Sequence, residues 1–361
     1  MNLHRIFTVA ATLVLLAGCA VKNTDETGLD ITQKWDKIFP LNDMLDHRKV
    51  TFKTGFGNTL VGDLYQPMGI KEKLPAIAVC GPFGACKEQA SGLYAQTLAD
   101  MGFVTLAFDP SYTGESSGEP RYTSSPDINT DDFLSAVDYL LSLKEVDPER
   151  IGILGICGWG GIALNAAAAD TRIKATTAVT MYDMTRVNCN GYFDKDDNEE
   201  ARFELRKKFS EARTAAVKDG KTTRVGGVPE DLPADAPAYL REYQEYYKTP
   251  RGFHVRSANS VSGWHAFGTQ AYANARFMRF IDEIRSAVLI IHGENAHSRY
   301  FGEDAYNDMV AGNPNPDNKE LMIVPGATHC DLYDGGLAGD KIPWEEIADF
   351  YRKYMPVQNP S

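Results

Sequence analysis

The sequence has no Cys-x-x-Cys pair and no His-Glu-x-x-His. The common spacings that gather thiolates or imidazoles around zinc are therefore missing, and no metal is expected. No Gly-x-Gly-x-x-Gly stands between a strand pattern and a helix pattern, which removes the usual dinucleotide-binding turn. Positive charge is also short. The 361 residues carry 37 Lys and Arg against 49 Asp and Glu, a net charge of −12. Such a chain has little with which to neutralise phosphates, so nucleic acid and anionic membrane surfaces are excluded as partners. There is no internal repeat. What is present is a hydrophobic content of 43%, enough to bury a sizeable core in one large or two smaller α/β domains.

The N-terminus reads as a targeting segment. His4 and Arg5 precede an apolar run, Ile6 to Leu16, too short to favour a spanning helix. Leu16-Ala17-Gly18-Cys19 resembles the bacterial lipobox, in which the cysteine is lipidated and becomes the first mature residue. That resemblance implies a signal peptide over 1–19, export, and attachment to a membrane through the lipid on Cys19 alone. In a Gram-negative source the outer membrane is expected, since Ala20 is not the aspartate of inner-membrane retention. The alternative is an ordinary secretory signal ending near Ala20. Without Cys19 five cysteines remain, so an exported chain keeps at least one free thiol. Residues 20–45 are polar and aperiodic, and read as a tether.

Beyond the tether, apolar strand patterns alternate with helix patterns. Leu74–Cys80, Phe103–Asp109, Arg150–Ile156 and Lys174–Met181 are continuous apolar runs of the kind found in sheets covered on both faces. The alternation pauses after Met181 and resumes at Ala287–Gly293 and Glu320–Gly326. The expected fold is α/β: a mostly parallel sheet with helices on both faces, built from 46–181 and 285–356. Residues 182–284, with charged and tyrosine-rich helix patterns, form a helical lid inserted before the last strands.

The stretch Gly155-Ile156-Cys157-Gly158-Trp159-Gly160-Gly161 joins one of these strands to an alanine-rich helix. Strand, sharp turn and helix are the context of a nucleophile elbow, which exposes the apex side chain above the sheet. The apex here is Cys157. A thiolate at a helix N-terminus is favoured by the local partial positive charge. Oxyanion stabilisation needs backbone N–H groups. One is expected from Gly158 and the other from the loop after Cys80, where Pro82 has no N–H and Phe83 is the first donor. Among the seven histidines, His329 lies in the loop after the final strand and is the base candidate.

These motifs, with Lys87-Glu88-Gln89, Gly114-Glu115-Ser116, Asp147-Pro148-Glu149-Arg150-Ile151-Gly152 and Pro325-Gly326-Ala327-Thr328-His329, resemble the α/β-hydrolase superfamily. Within it they resemble the dienelactone-hydrolase-like branch, over about Lys49 to Tyr354. The resemblance implies Cys157 as nucleophile, His329 as base, oxyanion amides at Phe83 and Gly158, and no cofactor. It also implies an acid after the strand ending at Gly293. The usual aspartate position is Ala296, so Glu294 is the first candidate and Asp304 the second. Trp159 stands where the branch has a small residue and is expected either to relieve the elbow or to form a pocket wall. Glu88 is weighed as a neighbour of Cys157 against a charged pair at a helix start. The expected activity is hydrolysis of a carboxylic ester, thioester or lactone of a small molecule or a glycan ester. A non-catalytic surface binding protein on the same fold is the alternative, and a peptidase the third reading.

Overall fold

The computed structural model describes residues 28–220, 223–261 and 263–357. The signal segment with Cys19 lies outside them. The chain order is β1 (Leu45–Lys53), β2 (Thr59–Pro67), β3 (Leu74–Cys80), α1 (Ala90–Asp100), β4 (Val104–Phe108), α2 (Pro126–Leu141), β5 (Val146–Ile156), α3 (Gly158–Ala169) and β6 (Ile173–Val179). Then come α4 (Met184–Asn190), α5 (Glu199–Asp219), β7 (Arg224–Val225), α6 (Ala238–Tyr247), β8 (Trp264–His265), β9 (Ala287–Gly293), α7 (Arg299–Val310), β10 (Lys319–Val324), α8 (Asp331–Asp334) and α9 (Trp344–Tyr354).

Eight strands form one sheet in the order β1-β2-β4-β3-β5-β6-β9-β10. Only β2 runs against the rest. Successive side chains alternate between two cores, as a pleated strand dictates. On β3, Ile77 and Val79 pack toward α1 and α9, whereas Ala76, Ala78 and Cys80 pack toward α2 and α3. Because both faces are covered, these strands have no polar side, which explains their continuous apolar runs. The Tyr351 hydroxyl of α9 donates to the Ile153 carbonyl at 2.6 Å, tying the closing helix to the elbow strand.

Two sequence expectations are corrected. Residues 28–45 are not a free tether. Ile31 and Phe39 are buried, Trp35 and Ile38 pack on the core, and Lys37 Nζ lies 2.8 Å from the fully buried Asp63. The four apolar residues are spaced i, i+4, i+7 and i+8, a helical period, yet this strap forms no helix. Within 182–284 the three helices α4, α5 and α6 cover only part of the segment. Residues 248–284 are mostly turns and short 3₁₀ segments, with β8, which pairs with β7 as a ribbon. Among the described residues no helix is long and apolar enough to cross a membrane.

Candidate active site

Parallel strands deliver the loops after their C-terminal ends to one edge of the sheet. Here the loops after β3, β5, β6, β9 and β10 bring Phe83, Cys157, Thr180, Ser298 and His329 to that edge.

Cys157 lies at the apex between β5 and α3, with φ 58° and ψ −127°. A positive φ costs a non-glycine residue about 1–3 kcal/mol and persists only when neighbours impose it. The Cys157 N–H donates to the Val179 carbonyl at 2.9 Å, and the Cys157 carbonyl accepts from Gly160 and Tyr182. The flanking glycines are sterically required. A Cβ on Gly155 would fall 2.0 Å from the Trp159 carbonyl oxygen, and one on Gly158 would fall 2.7 Å from Phe83 Cβ. Thr180, one strand over, has φ 45°. Two strained residues thus stand side by side at the ends of β5 and β6.

Trp159 neither relieves the turn nor lines the chamber above Cys157. Its indole turns into the core beside Phe133 and Phe108, with ring centroids 5.2 and 5.8 Å away in edge-on geometry. The first turn of α3 aims that position away from the apex. Gly81 leaves it space, since a Cβ there would lie 2.9 Å from Trp159 Cβ.

Burial raises the Cys157 thiol above its ordinary range. Hydrogen bonding from the Tyr333 and Tyr243 hydroxyls and the Gly158 and Phe83 amides pulls the other way. The two amides expected for an oxyanion therefore both address the apex. His329 is fully buried, and burial, then His297 and His292, hold its ring well below the usual histidine range, so it is neutral. Its Nε2 is 2.9 Å from the Tyr333 hydroxyl. Tyr333 thus stands between imidazole and thiol.

Behind the ring, Nδ1 faces the Thr180 and Ser298 hydroxyls, each at 2.7 Å. Neither expected acid is there. Glu294 turns outward, where its Oε2 accepts from the Gly326 N–H at 2.8 Å. Asp304 sits on the exposed face of α7 and pairs with Arg186 at 2.7 Å. Ala296, at the position where the resemblance expects an acid, is buried. His297, the next residue, bonds the Tyr182 hydroxyl, which in turn lies 2.7 Å from that of Tyr243. Burial pushes His297 down to about 4.

Glu88 does not approach Cys157. It is fully buried, 2.8 Å from Lys87 Nζ and 2.8 Å from Arg256. Lys87 Nζ also lies 2.7 Å from both Asp109 and Glu115, and its backbone N–H donates to Asp109. This buried network occupies the motifs around Lys87, Asp109 and Glu115. It ties the end of β4 to the loop carrying Phe83, whose carbonyl is held by Asn259 at 2.8 Å. Three carboxylates converge there, from Glu88, Asp109 and Glu115, but the Lys87 ammonium sits among them where a cation would sit.

A cavity of about 280 Å³ opens above Cys157. The lid supplies most of its wall: Tyr182, Met184, Val187, Tyr192, Tyr239, Leu240, Tyr243 and Tyr247, with Trp264 from the ribbon. Phe83 and Tyr333 come from the core loops. Sequence reasoning missed Tyr333, Tyr243, Thr180 and Ser298. The signal for Tyr333 is its place four residues after His329, one helical turn on. The other three have no comparable spacing.

The family model for the alpha/beta hydrolase fold matches residues 78–336. The chain belongs to the α/β-hydrolase family. It is 48% identical over 364 residues to an uncharacterized Pseudomonas aeruginosa protein, PA2218, across 96% of this chain and 94% of that one. The crystal structure of PA2218 matches with a TM-score of 0.85 and 49% identity, over 90% of this chain and 99% of that chain. The uncharacterized Escherichia coli protein YcjY is 34% identical over 303 residues, covering 80% of this α/β hydrolase and 93% of YcjY. The thiohydrolase aneE of Aspergillus aculeatus is 33% identical over 138 residues, 38% of this chain and 42% of that one.

Proposed function

We propose that this α/β hydrolase, of the dienelactone-hydrolase-like branch, cleaves a carboxylic ester, thioester or lactone through an acyl-enzyme on Cys157. The observation that carries the reading is the strained apex thiol under an aromatic cavity, addressed at once by the Phe83 and Gly158 amides and by Tyr333. A thioester is placed first, because a thiohydrolase is among the proteins the chain resembles.

In this mechanism the Cys157 sulfur forms a bond to the substrate carbonyl carbon. Its proton passes to the Tyr333 hydroxyl as that hydroxyl gives its own to His329 Nε2. The carbonyl π electrons move to oxygen, where the Phe83 and Gly158 N–H groups donate. Collapse restores the carbonyl and breaks the bond to the leaving group, which takes the proton back from His329 through Tyr333. Water then attacks the thioester on Cys157, giving its proton along the same path. The acid is released and the thiol restored. The Thr180 and Ser298 hydroxyls orient the ring in place of a carboxylate.

The test compares Cys157→Ala with the parent on a panel of activated acyl esters and thioesters. Loss of turnover is expected, and equal turnover by the two proteins overturns the reading. We also propose the lipid anchor at Cys19, supported by the Leu16-Ala17-Gly18-Cys19 sequence. Cys19→Ala is expected to abolish incorporation of labelled fatty acid, and undiminished labelling would remove the proposal.

A further inference from the structure

Among the described residues, no side chain lining the cavity above Cys157 carries a formal charge. Three cations of the lid are engaged elsewhere. Arg186 pairs with Asp304, Arg251 with Asp334 and Lys248 with Glu230. An anionic acyl group entering this space would lose its hydration and meet no cation. A cationic one would meet aromatic faces, which attract positive charge, but no carboxylate.

The walls are flat. Phe83 stacks on Trp264 with centroids 4.5 Å apart, and Tyr192 lies against Tyr239 at 4.7 Å. The polar groups offered are neutral. The phenol of Tyr247 and the amide of Asn259 are among them. At about 280 Å³ the space is small for a ligand pocket, which limits the group to about one ring system.

We propose that the acyl group accepted by Cys157 is a small, uncharged aromatic acyl group. This rests on the reading of Cys157 as the nucleophile. Ring faces select it over an aliphatic acyl group, since aromatic pairs gain contact beyond area alone. The absence of charge from the wall selects it over a carboxylate-bearing one.

The experiment holds the leaving group constant. N-acetylcysteamine thioesters of acetate, benzoate, 4-hydroxybenzoate, succinate and betaine are compared by kcat/KM. Acylation of Cys157 by each is read by mass spectrometry. Benzoyl and 4-hydroxybenzoyl are expected to exceed acetyl by about tenfold despite their lower intrinsic reactivity. Succinyl is expected to be the poorest. Cys157-dependent turnover led by succinyl, betainyl or acetyl overturns the acyl class and leaves the nucleophile standing. Turnover that survives Cys157→Ala, or no acylation of Cys157 by any member, overturns both.

Discussion

Replacing Tyr333 with phenylalanine removes one oxygen from the point where the mechanism is most exposed. The ring has room to stay, since it packs edge-on against Tyr246 with centroids 5.0 Å apart. The hydroxyl lies 2.9 Å from His329 Nε2 and is the foremost group opposing the burial-raised pKa of the Cys157 thiol. Without it, Nε2 becomes a buried ring nitrogen with no partner, which costs about 1–3 kcal/mol of stability. Proton transfer loses its bridge, and a positioned acid–base group is worth about 10²–10⁴-fold. At 1.36 kcal/mol per tenfold, that is about 3–5 kcal/mol of barrier. We therefore expect kcat/KM for an activated thioester to fall by at least about a hundredfold, with a modest loss in urea stability.

The thiol itself provides a second readout. Tyr333 is the first of the hydrogen bonds that oppose the burial-raised pKa of Cys157. Its loss raises that pKa further, so alkylation of Cys157 by iodoacetamide at neutral pH should slow. In the parent, His329 is neutral because burial holds its pKa well below 6.5. The base stays in its unprotonated, working form as pH falls through 6.5, and the acid limb of kcat/KM lies below that value. An unchanged or faster Tyr333→Phe would refute the bridge and make the hydroxyl a stopper that keeps imidazole from thiol.

The orienting groups behind the ring give the remaining contrast. Glu294→Gln and Asp304→Asn should each leave kcat/KM within about twofold, because neither carboxylate reaches His329. Ser298→Ala should lower it about tenfold by freeing the ring to turn, with Ser298→Thr restoring part of the loss. A large effect at Glu294 with none at Ser298 would restore the carboxylate that the sequence suggested.

What could be read from the sequence was local. Glycines around Cys157 mark close approach within a seven-residue stretch, and an apolar run ending in Pro325-Gly326 places His329 at a strand's end. The apolar runs themselves declared a parallel sheet. What could not be read was assembled from far apart. Thr180 and Ser298 meet His329 across 149 and 31 residues, and serine and threonine have no spacing that betrays such a meeting. The direction of Trp159 depends on the phase of α3 and on the gap at Gly81. Lys87 and Glu88 are a charged pair near a helix start, as one reading had it, but burial turns them into part of a network that only tertiary structure reveals. The strap at 31–39 failed as a tether because its apolar residues, spaced i, i+4, i+7 and i+8, pack on the core although the segment forms no helix.

The missing carboxylate bears on which bond is cleaved. In a triad with aspartate, the anion stabilises the imidazolium that forms during attack. His329 has two hydroxyls there instead, and its two neighbouring imidazoles further disfavour a positive ring. It can pass a proton but holds one poorly. An amide nitrogen must be protonated before it leaves, which asks the most of such a group. An alkyl ester asks less. A thiol leaves at a far lower pKa and asks least. The thiol of Cys157 is itself a good leaving group, so deacylation by water is compatible with the same weak base. The geometry around His329 therefore orders the substrates as thioesters and aryl esters, then alkyl esters, then amides. On this ground, and independently of any resemblance, the peptidase reading ranks last.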